Sequence, residues 1–461
     1  MKRLLLFAAQ QLNDRETLNM LSVLANRTYR HLFAAQVIAL IGTGLMTVAL
    51  GLLAYEIAGE KAGAVLGTAL AIKMIAYVGI APIAGSLAGY VPRRPFLIAM
   101  DLVRALVAIA LPFVSEVFQI YLLIFLLQCA SAAFTPTFQA TIPDVLPDER
   151  DYTRALSLSR LAYDLENLLS PTLAAALLTV ISFNSLFAGT VVGFLCSALL
   201  VVSVSLPAVT AKSEASFYDK TTRGMRIYLA TPRLRGLLAL NLSVAAAGAM
   251  VIVNTIVLVR GMLGRPDNDV AVALACFGGG SMLAALMLPR LLDRLPDRAV
   301  MMSAATTLPV LLLAAALVLR GNPALVWPSL LALWTLMGIG YSAVQTPTGR
   351  LLRRSAQASD RPAVFAAQFA LSHACWLLTY PVAGWFGNRL GLSNTAIALS
   401  AITLAGALTA RMIWPADDAD EIAHDHPELA PTDPHLEGAT QGRHSHAFVI
   451  DDHHRRWPND A

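Results

Sequence analysis

Apolar residues form long continuous runs along this chain, separated by short polar connections. A helix needs about 20 mostly apolar residues to cross the hydrocarbon core of a bilayer. Lipid cannot satisfy backbone polar groups, so a helix is the form that such a run adopts. The pattern predicts twelve membrane-spanning helices. They are expected near 31–55, 63–89, 95–114, 118–142, 154–182, 184–206, 234–260, 268–292, 299–319, 324–349, 362–388 and 392–414.

Composition agrees with the membrane assignment and narrows the function. Of the 461 residues, 56% are hydrophobic and only 14% are charged, which is more apolar side chain than a soluble surface can hide. The four cysteines fall inside apolar runs and lack zinc-site spacing. No nucleophile motif or phosphate loop is present, so we expect neither an enzyme nor a cofactor. Lipid is the expected surroundings, and a nucleic-acid partner is not expected.

The distribution of Lys and Arg predicts the orientation. Seventeen of them lie on one set of connections, and five lie on the opposite set. Cytoplasmic loops carry the excess of basic residues. We therefore expect a multi-pass protein of the cell (inner) membrane with both termini in the cytoplasm. Met1-Lys2-Arg3 begins no convincing signal peptide, so residues 1–30 are interpreted as a cytoplasmic extension.

The apolar runs divide six plus six, and the halves repeat. Pro136 precedes Pro171 by 35 residues, and Pro347 precedes Pro381 by 34, each pair on the fourth and fifth helices of its half. Parallel six-helix repeats are a known transporter plan. The predicted units are an extension (1–30), an N-terminal six-helix bundle (31–206), a cytoplasmic central loop (207–233), a C-terminal six-helix bundle (234–414) and a disordered His-rich tail (415–461).

The connection between helices 2 and 3 carries a recognisable signature. The major facilitator superfamily has G-x-x-x-D-R-x-G-R-R at this place. Residues 85–94 keep its first Gly and final Arg pair but have Gly at the acidic position, and residues 289–298 keep the Asp-Arg pair of the second-half counterpart. The chain therefore resembles that superfamily over residues 27–414, which implies an all-α major facilitator fold. The resemblance, with substitute charges on helix 3, implies a cytoplasmic gate between the halves at Gly85, Arg93, Arg94, Asp101, Arg104, Asp293, Arg294 and Arg298.

Helix 5 carries a second, weaker signature. Exporters of the superfamily have G-x-x-x-G-P-x-x-G-G here, and residues 166–175 keep the Pro and the small-residue character without the glycines. This favours export. Small residues would still allow close packing of helix 5 on a neighbour.

Ionisable residues inside the predicted spans are candidates for the proton and substrate pathway. A charge at the bilayer centre costs about 2.5–3.5 kcal/mol on insertion scales. Asp164 and Glu166 lie near the midplane of helix 5, and Arg160 is placed to pair with Asp164 at i,i+4. We expect Lys73 and His373 to share one side of the cavity, because helices 2 and 11 face each other in the resembled fold, with Asp164 and Glu166 on the other side.

After Pro415 the chain becomes polar, acidic and His-rich, which predicts disorder. Imidazole with carboxylate suits Ni²⁺, Zn²⁺, Co²⁺ or Cu²⁺. A superfamily member with such a tail resembles the nickel-resistance efflux branch, whose function is metal export. The candidate metal ligands are His424, His426, His444, His446, His453 and His454.

Three functions remain open on these grounds. The favoured function is proton-coupled export of a divalent metal, with nickel or cobalt preferred. The alternative is export of drugs, siderophores or other amphipathic small molecules, because the helical body fits these equally well. A non-transporting sensor that binds metal through its tail is the third, which the buried carboxylates and His373 disfavour. We expect a monomer, although the sequence leaves the oligomeric state open.

The predicted orientation is testable with reporter fusions. Fusions after Arg235 and after Pro415 should both report a cytoplasmic location, because both follow from the excess of basic residues. A fusion after Lys61, in the opposite set of connections, is the matched control and should report the other side. An extracytoplasmic signal after Arg235 or Pro415 would contradict the span count.

Overall fold

Twelve long helices dominate the described part of the chain, and each lies on one of the predicted apolar runs. The computed structural model describes residues 22–87, 92–206, 217–292, 294–357, 360–418, 421–425, 443–451, 454 and 456–458. The twelve-helix fold is thereby confirmed. The helices are α1 Arg27–Ala58, α2 Ala62–Leu87, α3 Arg93–Ala110, α4 Val117–Val145, α5 Glu149–Leu177, α6 Phe183–Val202, α7 Pro232–Ile256, α8 Asp267–Leu292, α9 Asp297–Val318, α10 Pro323–Gln345, α11 Arg361–Leu390 and α12 Leu392–Ile413.

Ten stretches of these helices are long and apolar enough to cross a membrane, and the first contains both α1 and α2. Together they cover eleven helices. The exception is α5, where Arg160, Asp164 and Glu166 interrupt the apolar residues. A membrane helix with several ionisable residues faces the interior of its bundle rather than lipid. This property marks α5 as a lining element.

Local chemistry explains where several helices begin and turn. The Asn26 side chain accepts the Tyr29 N–H at 3.1 Å and caps α1, and Asn322 caps α10 through the Ala324 N–H at 3.0 Å. Such caps satisfy donors that the first turn of a helix leaves open. Gly391 links α11 to α12 at φ +80°, a conformation that glycine adopts without steric penalty.

The two halves pack by one repeated scheme. In the first half α1 packs on α5 and α6, α2 on α4, and α3 on α4 and α6. The second half repeats each contact with the helix number raised by six: α7 on α11 and α12, α8 on α10, and α9 on α10 and α12. The halves meet through two equivalent pairs, α2 with α11 and α5 with α8. This is the packing of two parallel six-helix repeats.

Glycines allow the α2–α11 pair to approach closely. A Cβ added at Gly67 would lie 2.6 Å from the Tyr380 carbonyl oxygen, and one added at Gly384 would overlap the Gly63 carbonyl. The Trp385 indole N–H donates to Thr68 Oγ1 at 3.1 Å across the same contact. All six residues lie at the end of the α2–α11 contact where α2 follows α1. We call the other end, which carries the connections α2–α3, α4–α5, α6–α7, α8–α9 and α10–α11, the basic end.

The central connection and the tail contain secondary structure that the sequence patterns did not predict. Residues Phe217–Ala230 form a linker helix within the predicted loop. It is held on α11, because Arg223 Nε donates to Asp360 Oδ1 at 2.6 Å and Gly224 leaves room for the Ala363 backbone.

The predicted disorder of the tail does not hold where the structure describes it. Strands β1 (Glu421–Asp425) and β2 (Arg443–Ala447) pair antiparallel, with His424 opposite His444. Phe448 and Ile450, 3% and 5% exposed, belong to the same buried cluster as the helical core. Average composition missed this contact because a few apolar residues suffice to anchor a polar segment.

The α2–α11 contact yields a stability prediction. Gly67→Ala should lower the unfolding free energy by about 1–3 kcal/mol, because the added methyl group meets the backbone of α11. The measurement is the melting temperature in detergent, which should fall. Gly79→Ala on the same helix is the matched control, since a Cβ there meets no described atom within 4 Å. Equal melting temperatures for the two variants would contradict the close approach.

Candidate functional site

Three ionisable side chains from both halves, on α2, α5 and α11, are close enough to interact electrostatically. Lys73 interacts electrostatically with Glu166 and with His373. The Lys73 ammonium lies 5.9 Å from the centroid of the Tyr77 ring, and the His373 ring stacks on Tyr77 with centroids 5.3 Å apart. Each of the three ionisable side chains is partly buried. Lys73 and His373 thus share the Tyr77 ring.

The sequence argument placed Lys73 and His373 on one side of the pathway and Glu166 on the other. Lys73 interacts electrostatically with both Glu166 and His373, so this division into two sides stays a prediction. The side chains of Arg160 and Asp164, also predicted for this pathway, lie outside the described residues.

His373 has a defined hydrogen-bonding state. Its Nδ1 lies 2.7 Å from the Phe369 carbonyl oxygen. A carbonyl only accepts, so Nδ1 carries the hydrogen and Nε2 is the nitrogen that can take up a proton or accept a hydrogen bond. The backbone of α11 therefore fixes which ring nitrogen of His373 is chemically available.

Aromatic side chains extend from the ionisable residues along the second half. Phe369 lies 5.6 Å from Tyr77 and 4.0 Å from His373, between ring centroids. Further along, Trp376 lies 4.9 Å from Tyr380 and 6.5 Å from Tyr341. Such rings bind apolar and cationic groups through their faces. We call this surface the aromatic wall, formed by Tyr77, Phe277, Tyr341, Phe369, Trp376 and Tyr380.

Small residues position both parts of the site. A Cβ at Gly44 of α1 would lie 3.3 Å from Glu166 Oε1 and would overlap Ser170, so glycine lets α5 bring its carboxylate against α1. A Cβ at Gly248 of α7 would lie 2.5 Å from the Trp376 ring. Glycine at these two positions makes room for the charge and for the largest ring of the wall.

Sequence reasoning named the charged residues but missed the aromatic ones. Tyr77 follows Lys73 by four positions, Phe369 precedes His373 by four, and Trp376 follows it by three. Residues three or four apart share a helix face. The aromatic residues could therefore have been found in the sequence, because each lies on the same helix face as an ionisable residue.

The predicted gate residues at the basic end pair within each half. Arg93 forms an ion pair with Asp144, and Arg94 donates to the Val202 carbonyl at the end of α6. In the second half Asp297 pairs with Arg350, whose Nε donates at 3.1 Å, and Arg298 donates to the Trp414 carbonyl at 2.9 Å after α12. Pro92 and Pro296 precede these helices equivalently. We call the start of α3 and the start of α9, with these contacts, the two basic-end corners. The corners correspond, but the helix start carries the cation of the ion pair in the first half (Arg93) and the anion in the second (Asp297).

The remaining gate candidates have other environments. Arg104 pairs with Asp101, which also accepts from Ser197 Oγ at 2.7 Å. The Arg104 guanidinium lies between the rings of Phe134 and Phe194, at 4.2 and 4.6 Å from their centroids. The pair therefore ties α3 to α4 and α6 inside one bundle, and its role in a gate between the halves stays a prediction.

Three further gate candidates gain no described side-chain partner between the halves. Arg294 is exposed, and its backbone N–H donates to the Leu291 carbonyl at 3.1 Å. Gly85 lies in the last turn of α2, where side-chain surroundings are outside the described part. Asp293 lies outside the described residues altogether.

Of the predicted metal ligands, the structure brings three together. His424, His446 and His454 each offer a ring nitrogen, and these nitrogens lie within 4.8 Å of one another. His426 and His453, and the side chain of His444, lie outside the described residues. The histidine cluster belongs to the tail at the basic end, away from the aromatic wall.

Comparison with known proteins gives the family. Residues 32–264 and 238–442 match the family model of the Major Facilitator Superfamily. Similar curated proteins include the uncharacterised MFS-type transporter YfiS of Bacillus subtilis, 24% identical over 46% of this chain and 52% of the relative. Macrolide efflux protein A of Streptococcus pyogenes is 24% identical over 42% of this chain and 50% of the relative. The chain thus spans about half the length of the curated relatives it matches.

Solved structures share the fold. A bacterial homologue of the human lysosomal transporter Spinster, inward-facing and unoccupied, gives a TM-score of 0.65 at 12% identity, covering 84% of this chain and 97% of the other. The nucleoside transporter NupG gives 0.63 at 13% identity, covering 85% and 100%. Identities this low show the fold alone.

The Lys73–Glu166 interaction predicts non-additive stability effects. Lys73→Met or Glu166→Gln alone should lower the unfolding free energy by about 1–3 kcal/mol, because each leaves one partly buried charge without its partner. The double variant should lose less than the sum of the two, by about 0.5–3 kcal/mol. Melting in detergent supplies the measurement.

The exposed pair Glu60 and Lys61 provides the control cycle. Exposed ion pairs contribute about 0–1 kcal/mol, so Glu60→Gln and Lys61→Met should have small, additive effects. Additive losses at Lys73 and Glu166 would contradict the proposed pairing.

Proposed function

The chain belongs to the Major Facilitator Superfamily, and from this membership we propose that it exports an amphipathic organic molecule from the cytoplasm in exchange for protons. The aromatic wall carries the proposal. Ligand sites for such molecules are largely apolar and aromatic, with a few polar groups that fix orientation. Lys73, Glu166 and His373 supply those polar groups beside the wall.

The charge of the site argues against a bare metal cation as cargo. A divalent cation bound by Glu166 and His373 would lie beside the Lys73 ammonium, which interacts with both. Like charges repel strongly where little water is present to screen them. An organic molecule makes most of its contacts with the aromatic wall, so it can bind without placing a concentrated positive charge beside the Lys73 ammonium. The name of the similar macrolide efflux protein A supports both an organic cargo and export.

Proton coupling rests on the electrostatic interaction between Lys73 and Glu166. When Glu166 is ionised, the two opposite charges compensate each other, which lowers their cost in the membrane interior. Proton uptake by Glu166 leaves the ammonium uncompensated, so the two states favour different surroundings. His373 Nε2 provides a second proton acceptor close to Lys73. Asp164 and Arg160 remain proposed members of this pathway.

Metal export remains a second candidate because of the histidine cluster. Three ring nitrogens within 4.8 Å suit nickel, cobalt, zinc or copper. In this version the tail collects the ion at the cytoplasmic mouth, and the helical body carries it.

The proposed topology rests on the sequence. The excess of Lys and Arg on one set of connections supports cytoplasmic termini and a cytoplasmic 207–233 connection. The six-plus-six pattern of apolar runs supports the division into bundles at 31–206 and 234–414.

Transport in everted vesicles distinguishes the two cargoes. With an imposed proton gradient, vesicles should accumulate a macrolide or ethidium but not Ni²⁺ or Co²⁺. Trp376→Ala should reduce organic uptake at least about tenfold, because loss of a buried aromatic contact costs several kcal/mol. Phe386→Ala is the matched control, since that ring is 39% exposed on the same helix. Metal uptake without organic uptake would reverse the proposal.

The coupling role has a separate readout. Glu166→Gln should abolish gradient-driven uptake while leaving binding of the organic probe within about threefold, because binding rests on the aromatic wall. The exposed Glu56→Gln on α1 is the control and should transport normally. Normal transport by Glu166→Gln would place the coupling group elsewhere.

A further inference from the structure

The three tail histidines form a compact buried group. His424 lies on β1, His446 lies on β2, and His454 follows both strands. His424 and His454 are only 8% and 3% exposed. Their ring centroids lie 4.7 Å (His424–His446), 4.8 Å (His424–His454) and 5.1 Å (His446–His454) apart. Three segments of a polar tail thus converge on one point.

Hydrogen bonds fix the protons on two of these rings. His424 Nδ1 lies 2.8 Å from the Ile422 carbonyl oxygen, and His454 Nδ1 lies 2.8 Å from Asp451 Oδ1. Both oxygens are acceptors, so both Nδ1 atoms carry hydrogen. In a neutral imidazole Nε2 then carries the lone pair. The two Nε2 atoms nevertheless face each other at 2.9 Å.

Two lone pairs at that separation repel, so either a shared proton or a metal ion is needed between them. A shared proton would satisfy two imidazoles and give no role to the third. The nitrogen of His446 completes a set whose members lie 2.9 to 4.8 Å apart. Imidazole nitrogens bound to one tetrahedral ion at about 2.0–2.1 Å lie about 3.3 Å apart, within that interval. The third ring favours a metal ion over a proton.

The surroundings complete the site. Asp451 accepts from both the His454 ring and its backbone N–H, at 2.8 Å each. In metal sites, a carboxylate commonly accepts a hydrogen bond from the ring nitrogen of a histidine that does not bind the metal, and so orients the ring. Phe448 packs on His424 and His454 with centroids 4.9 and 4.6 Å away, which limits water.

Donor chemistry restricts the ion. Three imidazoles suit Zn²⁺, Co²⁺, Ni²⁺ or Cu²⁺, whereas Mg²⁺ and Ca²⁺ require oxygen ligands. Three protein ligands leave a fourth position for water or another donor.

The site is connected directly to the transporter body. The second oxygen of Asp451 accepts from Gln357 Nε2, in the α10–α11 connection, at 2.7 Å. Asp418, just before β1, accepts from Arg354 Nη2 through its carbonyl at 2.9 Å and lies 3.7 Å from Arg233 Nη1. The Arg233 guanidinium also lies 5.1 Å from the Trp457 ring centroid. Residues on both sides of the cluster therefore hold the start of α7 and the start of α11.

We infer that His424, His446 and His454 bind one borderline divalent metal ion, and that the bound ion clasps the tail to the basic end of the second bundle through Asp451 and Gln357. Because α11 carries His373 and Trp376, occupancy of this site restrains a helix of the transport pathway. The site is thus regulatory and stays with the protein, whichever molecule the helical body exports.

Metal binding is tested on the full chain in detergent. Titration with Co²⁺, followed by its visible absorption, should show one high-affinity ion per chain that Zn²⁺ displaces. His424→Ala and His446→Ala should each weaken binding at least tenfold, and Asp451→Asn should weaken it about 10–100-fold. His31→Ala, at a described position on α1 where the ring hydrogen-bonds to Ser203 Oγ at 2.6 Å, is the matched control. No Co²⁺ bound by the unaltered protein, or equal binding by the cluster variants, would overturn the site.

The clasp is tested by hydrogen exchange. Zn²⁺ should slow amide exchange in the α10–α11 connection and in β1 of the unaltered protein. Gln357→Ala should keep Co²⁺ affinity within about threefold and lose the slowing at the α10–α11 connection. Slowing in β1 alone in the unaltered protein would overturn the clasp and leave the ion site intact. Neither readout involves transport, so a failure of the proposed export function would not affect either result.

Discussion

Lipid neither donates nor accepts hydrogen bonds, and it does not solvate charge. The spanning segments therefore pair their backbone groups within helices, and carbonyls near internal prolines also accept from other donors, as the Pro309 carbonyl does from Ser400 Oγ. The same constraint decides where polar side chains are placed. Arg104 is buried only because Asp101 and the faces of Phe134 and Phe194 replace water around it. Lys73 and Glu166 compensate each other in the same way at the cavity.

Without a hydrophobic driving force between helices, close fit must hold the bundle together. Glycine provides that fit at Gly67 and Gly384 where the halves meet, and at Gly44 and Gly248 where the site is built. The repeat shows which contacts matter. The basic-end corner of each half has an ion pair and an arginine that closes the end of the last helix, yet the first has Arg93–Asp144 and the second has Asp297–Arg350. Reversed charges at corresponding corners indicate that pairing, rather than the sign at either position, is what the corner requires.

Much of this fold could be predicted from the sequence, because apolar runs of membrane length have one structural solution. The central ionisable residues could be predicted as well, since charge inside an apolar run is visible in the letters. Their partners could not. That Glu166 interacts with Lys73 depends on where the first bundle places α5 relative to α2, and that Asp101 and Arg104 stay inside one bundle depends on Phe134 and Phe194 of other helices. The tail failed for a related reason: its composition predicts disorder, but Phe448 and Ile450 dock on a surface that the helices create.

Two chemistries are separated in space, and the separation follows from charge. Within the helical body the Lys73 ammonium already interacts with the Glu166 carboxylate, so a divalent ion there would add positive charge where little water is present to screen it. At the basic end Asp418 and Asp451 offset the nearby Arg233 and Arg354, and imidazoles can bind an ion without carrying net charge themselves. A soft cation is therefore tolerated outside the membrane and opposed inside it. Asp451 joins the two regions, because one of its oxygens orients His454 and the other holds Gln357 at the entry to α11, the helix that carries His373 and Trp376.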